Sequence, residues 1–121
     1  LYTYPDVLVV CDEPRFEDTS LDTLLNPTVL VEVLSPSTEA YDRGEKFSHY
    51  RHLESLQEYI LVAQNCIRVE HYLRQGQKWL LTEFNELVDI VRLPSIACEL
   101  STRAIYAKVK VSTDALRQQE L

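Results

Sequence analysis

Methionine is absent from this chain of 121 residues, glycine occurs twice and tryptophan once, and no purely apolar run exceeds five residues. Each scarcity excludes something. A run such as Val7 to Cys11 falls far short of the roughly 18 apolar residues that cross a bilayer, so no membrane-spanning helix is expected. With so little glycine, collagen-like and glycine-rich linker readings fail. No basic segment followed by an apolar stretch and small residues opens the chain, so a secretory signal is not visible and a cytoplasmic location is expected. Three cysteines, Cys11, Cys66 and Cys98, lack any Cys-x-x-Cys spacing or a histidine at zinc-finger distance, and read as buried, reduced thiols. The lack of methionine, with a start inside Leu1, Tyr2 and Tyr4, reads as a domain whose N-terminal part is missing.

What is present is an ordinary globular composition, 45% hydrophobic and 26% charged, enough for one core. One domain over residues 1–110 is expected, with 111–121 as a polar tail. The net charge of −7 is confined to the first 39 residues, where eight acids meet one base, Arg15; the remainder is neutral. An acidic surface gives no electrostatic steering towards nucleic acid, which counts against high-affinity DNA binding but not against a metal site. Arg43, Lys46, His49, Arg51 and His52 gather the bases of the middle region into ten residues.

Val7–Cys11 and Thr28–Leu34 are β-branched runs apolar on both faces, the pattern of buried strands. Between them lies an acidic, irregular stretch, and Ser35, Pro36, Ser37 and Thr38 stop the second run. Asp42 and Glu45 have capping-box spacing, and Phe47, Tyr50, Arg51 and Leu53 follow at helical spacing, which predicts a helix from Asp42 to Leu53. Leu56 to Glu58 turn the chain into a third buried strand, Tyr59–Ala63. Ile67, Val69, His71 and Leu73 alternate with Arg68, Glu70, Tyr72 and Arg74, the mark of a half-exposed strand. Gln75, Gly76 and Gln77 close a hairpin onto Lys78–Phe84, Val88–Leu93 forms one more strand, and Ser101 caps a short helix through Tyr106. The tail after Ser112 reads as a loose helix.

Glu32 is the most informative residue. It interrupts a run apolar on both faces, and an isolated buried carboxylate is costly unless a base, water at a strand end, or a metal ion meets it. Asp6 stands at the mouth of the first strand. If the two strands pair antiparallel, Asp6 faces Glu32, and two close carboxylates repel unless a cation or proton lies between them. Magnesium, or manganese, suits such an oxygen set, with a backbone carbonyl such as that of Val33 as a further ligand. Lys46 shares a helix face with Asp42 and Tyr50; it reads either as the i,i+4 surface partner of Asp42 or as an ammonium aimed at the two carboxylates.

Pro5-Asp6, Glu32-Val33-Leu34-Ser35-Pro36-Ser37-Thr38, Asp42-Arg43-Gly44-Glu45-Lys46 and Glu58-Tyr59-Ile60-Leu61-Val62 together resemble the Uma-two type of restriction-endonuclease-like proteins, within the PD-(D/E)XK nuclease superfamily. The resemblance covers about residues 4–106. It implies an α/β (α+β) fold with a mixed β-sheet flanked by helices, a divalent metal on Asp6 and Glu32, and Mg²⁺-dependent hydrolysis of DNA phosphodiesters. In the superfamily's E-x-K pattern position 34 would be lysine, but it is Leu34 here, so Lys46 on the following helix is the candidate for that role. Ser35 and Tyr50 are expected to orient carboxylates or touch phosphate. A homodimer is expected by analogy, since two sites then meet two strands. The opposing expectation is a catalytically inactive domain on the same fold, serving protein interaction or assembly, and the acidic balance favours it.

Overall fold

In the computed structural model, residues 7–9, 26–35 and 42–107 are described, the first three and Asp42 by their backbone alone. Val7–Val9 forms β1 and Val29–Leu34 forms β2. A π-helical turn over Asp42–Lys46 runs directly into α1, Phe47–Tyr50. Then come β3 (Glu58–Ala63), β4 (Val69–Gln75), β5 (Lys78–Phe84) and β6 (Ile90–Leu93). A 3-10 turn, Pro94–Ile96, leads to β7 (Cys98–Ser101) and α2 (Thr102–Tyr106). The expected tail helix, the acidic loop, Cys11 and the Pro36–Thr38 stop lie outside the described residues.

Strands β1 to β5 form one sheet in chain order, and β6 and β7 form a separate two-stranded sheet. β1 runs antiparallel to β2, β2 parallel to β3, and β3, β4 and β5 follow antiparallel. The sheet is therefore mixed, as expected. The parallel step requires a crossover connection, and the π turn and α1 lie in it.

Both faces of the central strands are covered, which is why β2 and β3 read as continuous apolar runs. Leu30, Leu34, Tyr59 and Leu61 face Phe47 and Leu56 on one side. Val29, Ile60, Val62 and Val69 face Val91, Leu93 and Tyr106 on the other. Phe47 lies flat on Tyr59, ring centres 4.7 Å apart and planes within 1°. The Tyr106 hydroxyl donates to the Ala63 carbonyl at 2.7 Å and accepts from the Arg68 amide at 3.0 Å, tying α2 to the turn between β3 and β4.

Four expectations need correction. The helix expected to reach Leu53 ends at Tyr50. Its own carbonyls at Phe47, His49 and Tyr50 accept the amides of Arg51, His52 and Leu53, and beyond it the Arg74 guanidinium on β4 donates to the carbonyls of Arg51, Leu53 and Leu56 at 2.9, 3.1 and 2.6 Å. β4 is not half-exposed along its length, because Glu70 and His71 on opposite faces are both buried. Glu58 belongs to β3 rather than to a turn and is fully buried. Finally, Cys98–Ser101, for which no strand is expected from the sequence, is a strand: apolar Cys98 and Leu100 alternate with Glu99 and Ser101 over only four residues, and pairing with β6 completes it. Cys66 and Cys98 are free thiols, half-buried rather than buried.

The expected capping of α2 is present, with Ser101 Oγ accepting from the Ala104 amide at 2.9 Å. The hairpin between β4 and β5 turns on Gly76 and Gln77, and Gly76 has φ of 64°, a left-handed conformation that suits glycine. Among the described residues β5 is an edge of the sheet, and Leu80 and Leu81 on it are about half exposed.

Candidate functional site

The sheet face under the π turn carries charge as well as apolar side chains. On β2, Leu30, Glu32 and Leu34 share this face by strand alternation, and Glu32 is 2% exposed. The pairing Glu32 with Leu61, and Leu61 with Glu70, puts the two glutamates in one row across three strands. Both are buried. Over them lies the π turn, whose Arg43 and Lys46 are three residues apart.

Lys46 is 8% exposed, and its Nζ lies 3.0 Å from Glu32 Oε2. The Lys46 side chain is thus turned inward rather than onto the surface, into the partnership that the buried Glu32 demanded. A base, one of the three partners weighed for Glu32, lies against it. The Arg43 guanidinium meets Glu70 fork to fork, Nη1 on Oε2 and Nη2 on Oε1. Arg68 Nε is 3.3 Å from the same carboxylate. Tyr72, next to this pair, has its hydroxyl pKa raised, chiefly by burial, then by the charge of Glu70, with Arg43 opposing.

Of the remaining sequence-derived site residues, Tyr50 is half-buried with its ring 6.0 Å from that of Tyr59, and Ser35 follows the end of β2, half-buried. Val33 points its side chain to the opposite face from Glu32. Asp6 lies outside the described residues; β1 begins at Val7, opposite Val31. Among the described residues no group of three His, Cys, Asp or Glu side chains clusters for a metal; the carboxylates of this row are those of Glu32 and Glu70. A hard, oxygen-preferring cation fits that donor type, and histidine or thiol ligands for a softer metal are not part of the row. The bases gathered in the sequence separate in space: Arg43 and Lys46 face the sheet, while His49, Arg51 and His52 are exposed.

Glu70 and Arg43 were the residues that sequence reasoning missed. Alternation placed Glu70 on a solvent face, and the sole local hint was the three-residue spacing between Arg43 and Lys46.

The far face of the sheet holds a second buried polar group. Glu58 accepts from the Ser95 amide at 3.0 Å, from the Ser95 hydroxyl, and from His71 Nε2 at 2.5 Å. It fastens the 3-10 turn to β3 and β4 and lies across the sheet from the row of Glu32 and Glu70.

Comparison with known proteins gives three findings. A family model described as "Putative restriction endonuclease", Uma2, matches residues 1–107. Two uncharacterized proteins of Synechocystis are similar: sll1609 is 49% identical over 83 residues, 68% of this chain and 47% of its own length. The other, slr1290, is 42% identical over 106 residues, 87% of this chain and 54% of its own length. The chain thus spans about half the length of these relatives. Among solved structures, a "putative nuclease belonging to DUF820" from Anabaena variabilis superposes with a TM-score of 0.57 at 23% identity, over 70% of this chain and 46% of that one. At that identity the likeness concerns the fold.

Proposed function

The chain belongs to the Uma2 family of putative restriction endonucleases, and from that membership we propose that the whole protein is a divalent-metal-dependent nuclease that hydrolyses DNA phosphodiesters, with Asp6, Glu32 and Lys46 as its working residues. The observation that carries the reading is the buried contact of Lys46 Nζ with Glu32 Oε2 at 3.0 Å. A lysine brought from a crossover helix to a strand glutamate supplies the ammonium that Leu34 cannot.

In this reading Mg²⁺ or Mn²⁺ would be held by the carboxylates of Glu32 and Asp6 and by the Val33 carbonyl. The antiparallel register supports the pairing: Val7 lies opposite Val31, so extending the ladder by one residue would set position 6 against position 32. When bound, such an ion lowers the pKa of water and stabilises charge on phosphate. Glu32 binds and orients. Lys46 places a positive charge beside the carboxylate in a site from which bulk water is largely excluded, where it acts on developing negative charge more strongly than it would in solvent. Ser35 and Tyr50, flanking these groups in sequence, would orient the substrate or the carboxylates. DNA must approach this chain against a net charge of −7, so affinity at the phosphates would come from the metal and local cations.

The test is Mn²⁺ titration calorimetry with plasmid cleavage by the full-length protein. Metal binding lost in both Asp6→Asn and Glu32→Gln, together with cleavage lost in Lys46→Ala, is the expected result. Cleavage that persists in Glu32→Gln would overturn the site. The alternative role, a non-catalytic interaction domain, draws on the half-exposed Leu80 and Leu81 of the edge strand. It would be supported by the absence of both metal binding and cleavage.

A further inference from the structure

The π turn is five residues long and α1 only four, too short for either to hold its own shape in water. Where Lys46 stands is therefore decided by what attaches these turns to the sheet. Phe47, packed against the rings of Tyr59, Tyr72 and Trp79, is one attachment, just after Lys46. That ring cluster holds the C-terminal end of the turn, and its other end, at Arg43, needs an attachment of its own.

The second attachment is Arg43 on Glu70. Glu32 and Glu70 occupy one row with Leu61 between them, so their backbones stand two strand spacings apart, about 10 Å. Over this row the turn presents two cations three residues apart, Lys46 to Glu32 and Arg43 to Glu70. Two ion pairs at that separation, with one of them a planar fork, permit a single orientation of the turn. The fork matters: a guanidinium held at both ends by one carboxylate resists rotation, which a point charge does not. Glu70 is itself 4% exposed, so its position is set by β4 and its neighbours rather than by solvent.

We propose that Arg43 and Glu70 are the positioning pair of this site: their bidentate contact anchors the π turn so that the Lys46 ammonium reaches Glu32. This rests on the nuclease reading only for its consequence on cleavage; the placement of Lys46 stands apart from it. Neither residue touches the reacting atoms. Arg43 is about one-third exposed, so a direct role on a backbone phosphate is the competing assignment, and it predicts a different outcome.

The experiment follows the Lys46 ammonium itself. In lysine-¹⁵N-labelled full-length protein at low temperature, an ammonium held in a buried ion pair exchanges slowly and gives a proton–nitrogen cross-peak, assigned by its loss in Lys46→Met. Arg43→Gln and Glu70→Gln are then compared, with far-UV circular dichroism reporting that each is folded. Loss of the Lys46 cross-peak in both, with cleavage down about 10–100-fold in kcat and KM little changed, is the expected result. Arg43→Lys, which keeps charge but not the fork, should restore the cross-peak only in part. Should Arg43→Gln not fold, Glu70→Gln alone decides, since it keeps the shape of the carboxylate. A Lys46 cross-peak unchanged in the folded variants overturns the proposal, and if KM rises while that peak stays, Arg43 is a phosphate contact instead. If no preparation cleaves DNA, the nuclease reading fails while the cross-peaks still decide the positioning.

Discussion

His71 Nε2 lies 2.5 Å from Glu58 Oε1, and together they sit on the face of the sheet opposite the Glu32 row. Burial pushes the Glu58 carboxyl upward, but hydrogen bonds from His71, the Ser95 hydroxyl and the Ser95 amide, with the charge of His71, hold it below the usual glutamate value. A depressed carboxyl contributes stability that is fully present above the unfolded pKa of about 4.3 and is lost as pH falls through the lower folded value.

Glu58→Gln is therefore expected to cost about 1–3 kcal/mol near neutral pH, with the donors of Ser95 and His71 left poorly matched. The gap between wild type and variant should narrow on acidification below about pH 4. Urea unfolding at the two pH values checks it. A gap independent of pH would show that the carboxylate charge is not what holds the 3-10 turn.

Tyr106 predicts the opposite pH limb. Burial raises its hydroxyl to about 12, its hydrogen bonds and the nearby Arg68 opposing in part. The neutral hydroxyl is the stabilising form, so its contribution is complete below the unfolded value of about 10 and is lost as pH rises through the folded value. In an alkaline absorbance titration one tyrosine should ionise last, together with unfolding. Tyr106→Phe should remove that late step and cost about 1–3 kcal/mol.

Gly76 holds φ of 64° in the hairpin between β4 and β5, with open space around it. A side chain there meets no neighbour, so the whole cost of Gly76→Ala should be conformational, about 1–2 kcal/mol. Gln77→Ala, at the next position of the same turn, should cost less. Equal losses by chemical denaturation would show that the left-handed backbone is not what the glycine supplies.

Lys46→Ala removes the ammonium from a carboxylate whose side chain is 3% exposed. Loss of one partner of a buried ion pair typically costs about 3–5 kcal/mol. If Glu32 belongs to a metal site, Mg²⁺ should offset part of that loss, raising the melting temperature of the variant more than that of wild type. Equal metal responses would argue against a cation at Glu32. Cleavage by the variant should fall by about 10²–10³-fold.

Much of this protein was determined locally. β-Branched apolar runs made β2 and β3 strands, Gly76 made the hairpin, and Ser101 capped α2, because each depends on neighbours in sequence. Glu32 announced itself because a carboxylate inside a doubly apolar run must find a partner. Which partner it found was a tertiary outcome. Lys46 could equally have paired with Asp42 on a surface helix; the crossover laid the π turn over the sheet and turned the ammonium inward. Glu70 shows the same limit from the other side. Period-two alternation reports that two faces differ in polarity, not that one of them meets water, and here the polar face of β4 is covered by Arg43 and the π turn. The course of the chain after α1 and the existence of β7 were likewise decided at a distance, by the Arg74 guanidinium on the carbonyls of Arg51, Leu53 and Leu56 and by pairing with β6, since these partners are far apart in the chain.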